Sequence, residues 1–259
     1  MPVHKQLGWL RLPLYGVLVF LYLPISVLIF MSFNKSDAPF MWTGFSTKWY
    51  SVLVNSPNIM EGFKNTLIVA IATTIISLVL GTLLAIGLAR YQKSSSLEAV
   101  ALTPAIFPDL ALAIGLLALF TSLHLALGLH SVIISHALFC MAFVTAIVRG
   151  RLAQIDSSLE EAAQDLGDSP VGTFFRITLP SIKPALIAGG LLAFTLSLDE
   201  FVIAFFTNGP NSPTLPMVIY SMVRFGVSPE INALATVVLL ISALIVTIAQ
   251  RNVKVQDQL

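Results

Sequence analysis

Three carboxylates interrupt long apolar runs of this chain. Asp109 directly follows Pro108, and Asp199 and Glu200 are adjacent in the stretch FTLSLDEFVIAFF. An acidic side chain at bilayer depth costs roughly 2.5–3.5 kcal/mol on insertion scales, so it is a functional candidate by default. None of these runs carries a Lys or Arg near its centre that would neutralise the acids. Their chemistry would be cation binding, proton transfer or polar contact between helices.

Adjacent residues of a helix point about 100° apart, so Asp199 and Glu200 cannot both face one narrow pathway squarely. Thr195 and Ser197 give either acid a polar neighbour on its own helix face. Three interpretations stay open at this point. The acids line a water-filled pathway and pair with a cationic substrate, or they relay protons, or at least one is protonated or hydrogen-bonded at a helix contact.

The histidines do not single out the proton relay. His124 and His130 fall in or beside a short predicted external loop, and His136 begins a predicted span. A location at the membrane interface is the simpler interpretation of all three.

The composition is typical of a polytopic membrane protein. The 259 residues are 56% apolar and only 10% charged, with a mean hydropathy of +0.89, whereas soluble domains carry about 25% charged residues. The net charge of +1 argues against a nucleic-acid-binding protein, which needs a concentrated basic face. The single cysteine, Cys140, excludes an internal disulfide and a thiolate metal cage.

Six segments are apolar and long enough to cross roughly 30 Å of hydrocarbon, which predicts an all-α fold with six transmembrane helices. We interpret residues 1–259 as one membrane domain with spans at about 12–31, 65–89, 99–121, 131–148, 185–206 and 233–250. The third span is the least regular because Pro104, Pro108 and Asp109 interrupt it. Such an interruption is tolerated only where protein or a water-filled cavity satisfies the backbone.

The basic residues predict the orientation of the spans. Ten lie in one set of connecting regions and four in the opposite set. The ten are Lys5, Arg11, Arg90, Lys93, Arg149, Arg151, Arg176, Lys183, Arg251 and Lys254, and the four are Lys35, Lys48, Lys64 and Arg224. Because cytoplasmic loops are enriched in Lys and Arg, both termini and the loops at 90–98 and 149–184 are predicted to be cytoplasmic.

The longest predicted cytoplasmic loop contains a helix start and a helix stop. In SSLEEAAQDLG both serines precede a glutamate by three residues, which is a doubled capping-box pattern. Leucines and alanines then recur at helical spacing and form one apolar stripe. Gly167 stands where a helix commonly ends in left-handed backbone. The pattern predicts a short helix that begins near Ser157.

A second short helix is predicted directly after the first. Asp168 or Ser169 can cap it, Pro170 occupies its first turn, and Pro180 and Pro184 are expected to end it before the fifth span. The resulting helix–turn–helix could be received in a groove of a soluble partner, or it could be a linker folded under the bundle. The acids of this loop have no His or Cys near them and no EF-hand spacing, so we predict no metal site.

The loop resembles the EAA motif of permease subunits of ABC importers, EAA-x3-G-x9-I-x-LP, and meets every fixed position. The matching residues are Glu161, Ala162, Ala163, Gly167, Ile177, Leu179 and Pro180. In that family the segment forms coupling helices that dock into ATPase subunits, so the resemblance implies that 157–180 has this role. The chain has no G-x-x-x-x-G-K-[ST] loop, so ATP and its Mg would be bound by partner subunits and the chain would not be an enzyme.

A second resemblance is more specific and covers nearly the whole chain up to Thr236. Several stretches are similar to the permeases of spermidine/putrescine ABC importers, in particular the C-type member of the permease pair. They are GFSTKWYSVL (44–53), FPDLALAIGLL (107–117), SHALFCMAFV (135–144), FTLSLDEFVIAFF (194–206) and LPMVIYSMVRFGVSPEINALAT (215–236). Two positions depart from the family, which typically has Asp-Asp at 199–200 and often Ser at Phe107. Both departures leave the charge in place but put the preferred polyamine in doubt.

This resemblance implies a type I importer permease with a MetI-like fold in the bacterial inner membrane. Its partners would be a related permease, two ATPase subunits and a periplasmic polyamine-binding protein. Polyamines carry several ammonium groups, which a pathway lined by carboxylates would stabilise. The expected pathway residues are Asp109, Asp199, Glu200 and, through cation–π contact, Tyr220.

Two alternatives to polyamine import stay open. The first is an ABC importer of another small cationic or amino-containing solute, which would keep the EAA coupling. The second is a proton-coupled secondary transporter, against which the EAA spacing argues strongly.

Overall fold

The computed structural model describes residues 11–38, 41–91, 94–225 and 229–256. Within these ranges the chain is helical, apart from loops and an isolated β-bridge between Asn34 and Phe45, which confirms the all-α prediction. In chain order the helices are α1 Arg11–Met31, α2 Lys48–Asn55, α3 Pro57–Ile86, α4 Ser95–Ile106, α5 Asp109–Ser122, α6 Leu129–Leu152, α7 Ser158–Asp165, α8 Pro170–Thr173, α9 Leu179–Asp199, α10 Val202–Thr207, α11 Leu215–Phe225 and α12 Pro229–Gln256. A first π turn, Gly87–Tyr91, extends α3, and a second, Phe174–Thr178, joins α8 to α9.

Four helical stretches of the described chain are long and apolar enough to cross a membrane. They are Arg11–Met31, Pro57–Tyr91, Leu129–Leu152 and Pro170–Asp199. Helices α4 and α5 pass the same criterion only as a pair, which is bent by 104°. Leu215–Arg224 and Pro229–Leu244 are shorter apolar helices, and the predicted sixth span, 233–250, lies within α12.

The third and fifth predicted spans are not continuous helices. Between α4 and α5 the chain is extended at Phe107 and turns at Pro108. Helix α9 ends at Asp199, Glu200 is extended, and α10 begins at Val202. The two breaks therefore coincide with the acidic positions. Irregular backbone at membrane depth must be buried in protein or line a water-filled cavity.

The prolines at the start of the fifth span do not end a helix, so that prediction is wrong. The chain runs as one helical stretch from Pro170 to Asp199. Pro180 is the second residue of α9. Pro184 lies inside α9, and the second π turn precedes both prolines.

The described residues fall into two compact units. The first comprises those up to Met60 together with those of Ile219–Ala243. In it, α1 has no buried residue, and the loop after α1 is folded around Asn34. The Asn34 amide donates to Met41 O at 2.7 Å and accepts from Thr43 N at 3.1 Å.

The second unit comprises Glu61–Val218 and the described residues from Leu244 onward, and α6 is its central helix. Hydrogen bonds connect α6 to α3. Ser77 Oγ donates to Ala137 O at 3.1 Å, and Thr145 Oγ1 donates to Gly81 O at 3.3 Å. Because the bonded residues advance together along both helices, α3 and α6 run parallel. A Cβ at Gly81 would lie 3.0 Å from Met141 O, so the glycine permits this close approach.

Helices α6 and α9 form the most extensive helix pair of this unit and run antiparallel. Their contacts pair His136 with Ser197, Cys140 with Ala193, Val144 with Gly189, and Arg151 with Ser181. As the residue numbers rise along α6, those of the contacting residues of α9 fall. This register fixes the position of α9 along α6, and with it the position of the break after Asp199.

Candidate functional site

Two of the predicted pathway acids begin the helices that follow the breaks. Asp109 is the first residue of α5. Glu200 precedes α10, and its Oε1 accepts a hydrogen bond from Ile203 N at 3.0 Å. A carboxylate therefore stands at the start of each of these helices, where the unsatisfied N–H groups and the helix dipole favour negative charge.

The structure brings the three acids into one neighbourhood, which we call the carboxylate cluster (Asp109, Asp199 and Glu200). Helix α10 packs against α5, and the Glu200 carboxylate lies within electrostatic range of both Asp109 and Asp199. Within the described ranges no Lys or Arg forms an ion pair with any of the three. The arrangement concentrates uncompensated negative charge, which suits the binding of a cation.

The two adjacent acids differ in their surroundings. Asp199 is exposed at the end of α9, whereas Glu200 is half-buried and bonded to the first turn of α10. The break removes the helical geometry that would have set them 100° apart. The side chain of Asp199 is accordingly available to a ligand, while that of Glu200 already accepts a hydrogen bond from the backbone N–H of Ile203.

The last turn of α9 is held by a buried hydrogen bond that sequence reasoning missed. His136 Nδ1 lies 2.9 Å from Ser197 Oγ, and His136 is 1% exposed. The interpretation of His136 as a membrane-interface residue is therefore wrong, because the imidazole is enclosed between α6 and α9. No spacing in the sequence indicates its partner, which lies 61 residues further along the chain.

Tyr220, the fourth predicted pathway residue, lies on α11 in the unit that contains Ile219–Ala243. Its side chain is 42% exposed. Its cation–π role stays a prediction.

The segment 157–180, which the sequence identifies as a candidate for docking, has two of its predicted local features. Gly167 adopts φ +92°, the left-handed backbone expected after α7. Ser169 Oγ accepts a hydrogen bond from Gly172 N at 3.0 Å and so caps α8, with Pro170 in its first turn. Both expectations are confirmed.

The predicted capping boxes do not form. Ser157 makes no side-chain hydrogen bond to α7; instead Asp156 Oδ1 accepts from Ser158 N at 3.0 Å. This bond holds the pKa of the Asp156 carboxyl below its usual value. The N–H groups of Glu160 and Glu161, which the serine side chains were expected to bond, donate instead to the backbone oxygen of Ser157.

Apolar side chains are exposed along the 157–180 segment. Leu159 is 53% exposed, Leu166 90% and Val171 67%. Beside them Glu161 and Ala162 are exposed, and Ala163 is half-buried. Of the other EAA-motif positions, Ile177 and Leu179 are half-buried, whereas Pro180 is exposed. Exposed apolar side chains beside exposed polar ones are typical of a protein-interaction surface.

Glu160 is half-buried, unlike these exposed residues. Its Oε1 accepts from Thr178 Oγ1 at 2.8 Å and pairs with Arg90 Nη2 at 3.2 Å. These contacts join α7 to the second π turn and to the first. Sequence reasoning assigned Glu160 only to a capping box and missed both partners, because neither is close to it in sequence.

Comparison with known proteins identifies the family. Residues 77–258 match the family described as binding-protein-dependent transport system inner membrane component. The chain is 42% identical over 229 residues to the putrescine transport system permease protein PotI of Escherichia coli K12, covering 85% of this chain and 82% of the relative. It is 40% identical over 237 residues to the spermidine/putrescine transport system permease protein PotC of the same strain, covering 91% and 90%.

Solved structures of ABC transporters share the fold, including the predicted MetI-like arrangement. A chain of a bacterial ABC transporter involved in alginate import superposes with a TM-score of 0.73 at 18% identity, covering 96% of each chain. A chain of the MetNI methionine transporter superposes with a TM-score of 0.63 at 17% identity, covering 82% of this chain and 99% of the other. The chain belongs to the family of inner-membrane components of binding-protein-dependent transport systems, which are multi-pass transport subunits rather than enzymes.

Proposed function

We propose that this chain is a permease subunit of an ATP-driven importer of polyamines of the putrescine and spermidine class. The observation that carries the proposal is the carboxylate cluster, in which acids on two broken spans share one neighbourhood without a basic partner in the described ranges. The names of the relatives PotI and PotC support the substrate class.

The cluster can bind and release a flexible polycation. Each ammonium group that loses its hydration water needs a carboxylate or a dipole to stabilise its charge. Separated acids provide this stabilisation but bind weakly enough to release the polyamine. The proposed primary contact for the polyamine is Asp199, which is exposed. The second contact is Asp109, the first residue of α5 after the bend between α4 and α5. Glu200 holds the start of α10 and adds charge to the same neighbourhood.

The broken helices suit alternating access. Discontinuous spans place helix ends and irregular backbone at the substrate sites of many transporters. Here α5 and α10 both begin at such breaks, and they pack against each other. Rearrangement of this pair would expose the carboxylate cluster to one side of the membrane at a time.

ATP would act through the 157–180 segment. Its exposed residues, among them Glu161, Ala162 and Gly167, would lie against ATPase subunits that bind ATP and Mg. Ile177, Leu179 and Pro180 carry the segment into α9, so movement of the docked segment would reach the transmembrane part. In this orientation both termini are cytoplasmic, as the distribution of Lys and Arg predicts.

The complete importer would contain a related permease as heterodimeric partner, two ATPase subunits and a periplasmic polyamine-binding protein. Helix α1, which has no buried residue within the chain, leaves a surface for lipid or for the neighbouring permease. The binding protein would deliver its polyamine to the external side of the permease pair.

Uptake into proteoliposomes tests the proposal. The assembled complex is reconstituted with ATP on the side of the ATPase subunits, and accumulation of labelled putrescine and spermidine is followed with the loaded binding protein outside. We expect accumulation that requires ATP and persists when a proton ionophore is present. Uptake driven by a proton gradient without ATP would instead support the secondary-transporter alternative. ATP-driven uptake of a different cationic solute, without uptake of polyamines, would support the alternative of an ABC importer for another small cationic or amino-containing solute.

A further inference from the structure

The carboxylate of Glu160 joins three segments of the second unit. Its Oε1 accepts the Thr178 hydroxyl at 2.8 Å and pairs with Arg90 Nη2 at 3.2 Å. The Glu160 side chain is 17% exposed and that of Arg90 is 23% exposed. In the ion pair between Arg176 and Asp168, by contrast, the Asp168 side chain is 16% exposed but that of Arg176 is 75% exposed. The Glu160 contacts are therefore far less accessible to water, which screens exposed pairs strongly.

Both partners of Glu160 belong to π turns. Arg90 lies in the first π turn, at the end of α3, and Thr178 closes the second π turn, directly before α9. A π turn inserts one residue into a helix, and such insertions are frequent at functional sites. One oxygen atom on α7 thus holds the two irregular helix ends together.

The connection from Thr178 leads to the carboxylate cluster. Helix α9 begins one residue after Thr178 and ends at Asp199, and α6 sets its register along most of that length. A regular helix transmits a displacement of one end to the other. A shift of α7 would therefore act on α9 through Thr178 and on α3 through Arg90.

We propose that Glu160 is a positioning residue that transmits movement of the ATPase-docked segment to α3 and α9. This inference rests on the proposed function of the 157–180 segment, and within that segment Glu160 is not one of the seven EAA-motif positions. Glu161, its exposed neighbour, would contact the ATPase, whereas Glu160 would face the membrane helices. The two adjacent glutamates would therefore have separable effects.

The ion pair makes this division testable. Arg90 Nε is buried and has no hydrogen-bond partner within the described residues, so Glu160 supplies the charge that compensates the guanidinium. Glu160→Gln keeps an oxygen that can accept from Thr178 but removes that charge. Arg90→Glu combined with Glu160→Arg restores opposite charges with the residues exchanged.

The experiment measures ATP hydrolysed per polyamine transported by the complete complex in proteoliposomes. For Glu160→Gln we expect ATPase subunits to co-purify as in wild type while this ratio rises about fivefold or more, a typical allosteric coupling factor. The exchanged double variant should recover at least part of the loss. The control is Arg149→Gln, which removes the ion pair between Arg149 and Glu98, outside the 157–180 segment, and should leave the ratio unchanged.

An unchanged ratio in Glu160→Gln would overturn the inference, as would an exchanged variant with a ratio no better than that of Arg90→Glu alone. Loss of the ATPase subunits from Glu160→Gln would also overturn it, because the residue would then serve docking. Failure of the proposed function has a different signature. In that case the wild-type complex itself would show no polyamine-dependent ATP hydrolysis.

Discussion

His136 Nδ1 and Ser197 Oγ lie 2.9 Å apart and join α6 to the last turn of α9, two residues before Asp199. His136 is 1% exposed and Ser197 3%. His136 Nε2 is also buried and has no partner in the described part of the chain. The hydrogen bond to Ser197 therefore orients the imidazole. The same bond attaches the last turn of α9, which ends at the exposed Asp199, to α6.

Removal of this hydroxyl should destabilise the chain and weaken transport. Ser197→Ala leaves a buried imidazole nitrogen unsatisfied, which we expect to cost about 1–3 kcal/mol. Polyamine uptake should fall as well, because the end of α9 loses its attachment to α6. Thermal unfolding of the purified complex measures the first effect. Thr195→Ala is the control, since within the described ranges the Thr195 hydroxyl bonds only to carbonyls of its own helix. Equal losses in both variants would contradict the prediction.

The two adjacent acids should respond differently to neutralisation. Asp199→Asn removes the exposed charge, and we expect polyamine uptake to fall about tenfold or more, corresponding to about 1.4 kcal/mol of lost interaction. Glu200→Gln keeps an oxygen that can accept from Ile203 N, so its uptake should be less affected. Glu200→Ala removes that acceptor and should lower the stability of the complex. Initial uptake rates across polyamine concentrations distinguish these cases, and a smaller loss for Asp199→Asn than for Glu200→Gln would reverse the assignment.

The turn after α7 should depend on glycine. Gly167 has φ +92°, a backbone conformation that a side chain disfavours, so Gly167→Ala should cost about 1 kcal/mol and disturb the angle between α7 and α8. We expect fewer ATPase subunits to co-purify with this variant. Gly150→Ala is the matched control, because Gly150 is in helix α6 and a Cβ there meets no atom within 4 Å. Equal recovery of the ATPase from both variants would show that the turn is not needed for docking.

The start of α7 should depend on pH through Asp156. Its folded-state pKa is lowered by the bond from Ser158 N, so ionisation stabilises the helix start. This contribution is fully present above the usual pKa of about 3.9 and is lost as the pH falls through the lowered value. At pH 7, Asp156→Ala should therefore increase amide hydrogen exchange in α7, whereas Asp156→Asn, which keeps an acceptor, should change it less. Equal exchange in wild type and Asp156→Ala would show that the bond does not stabilise α7.

Local patterns predicted local structure well. Gly167 and Ser169 act at the ends of α7 and α8 as their residue types indicate, because such signals depend on the nearest few residues. Pro108 correctly indicated an irregular third span, although not a bend of 104°. The family resemblance, which rested on spacing over many residues, was confirmed by the match over residues 77–258.

Features that depend on distant partners were not predictable from the residues. The apolar run FTLSLDEFVIAFF continues through the break at Glu200, so neither its length nor its hydropathy indicates two helices. Glu160 fits a capping-box pattern, but its carboxylate is taken by Thr178 and Arg90, which fold next to it. For Glu160, the tertiary contacts prevail over a capping preference of about 1 kcal/mol.

The most direct test of the account is ATP hydrolysis by the assembled complex in lipid, measured with binding protein that is empty or loaded with putrescine, spermidine or spermine. We expect polyamine-loaded binding protein to stimulate hydrolysis well above the level with empty binding protein, and the Asp199→Asn complex to retain this stimulation while losing uptake. Hydrolysis that is indifferent to polyamine, or that responds only to another class of solute, would contradict the claim that this chain serves ATP-driven polyamine import.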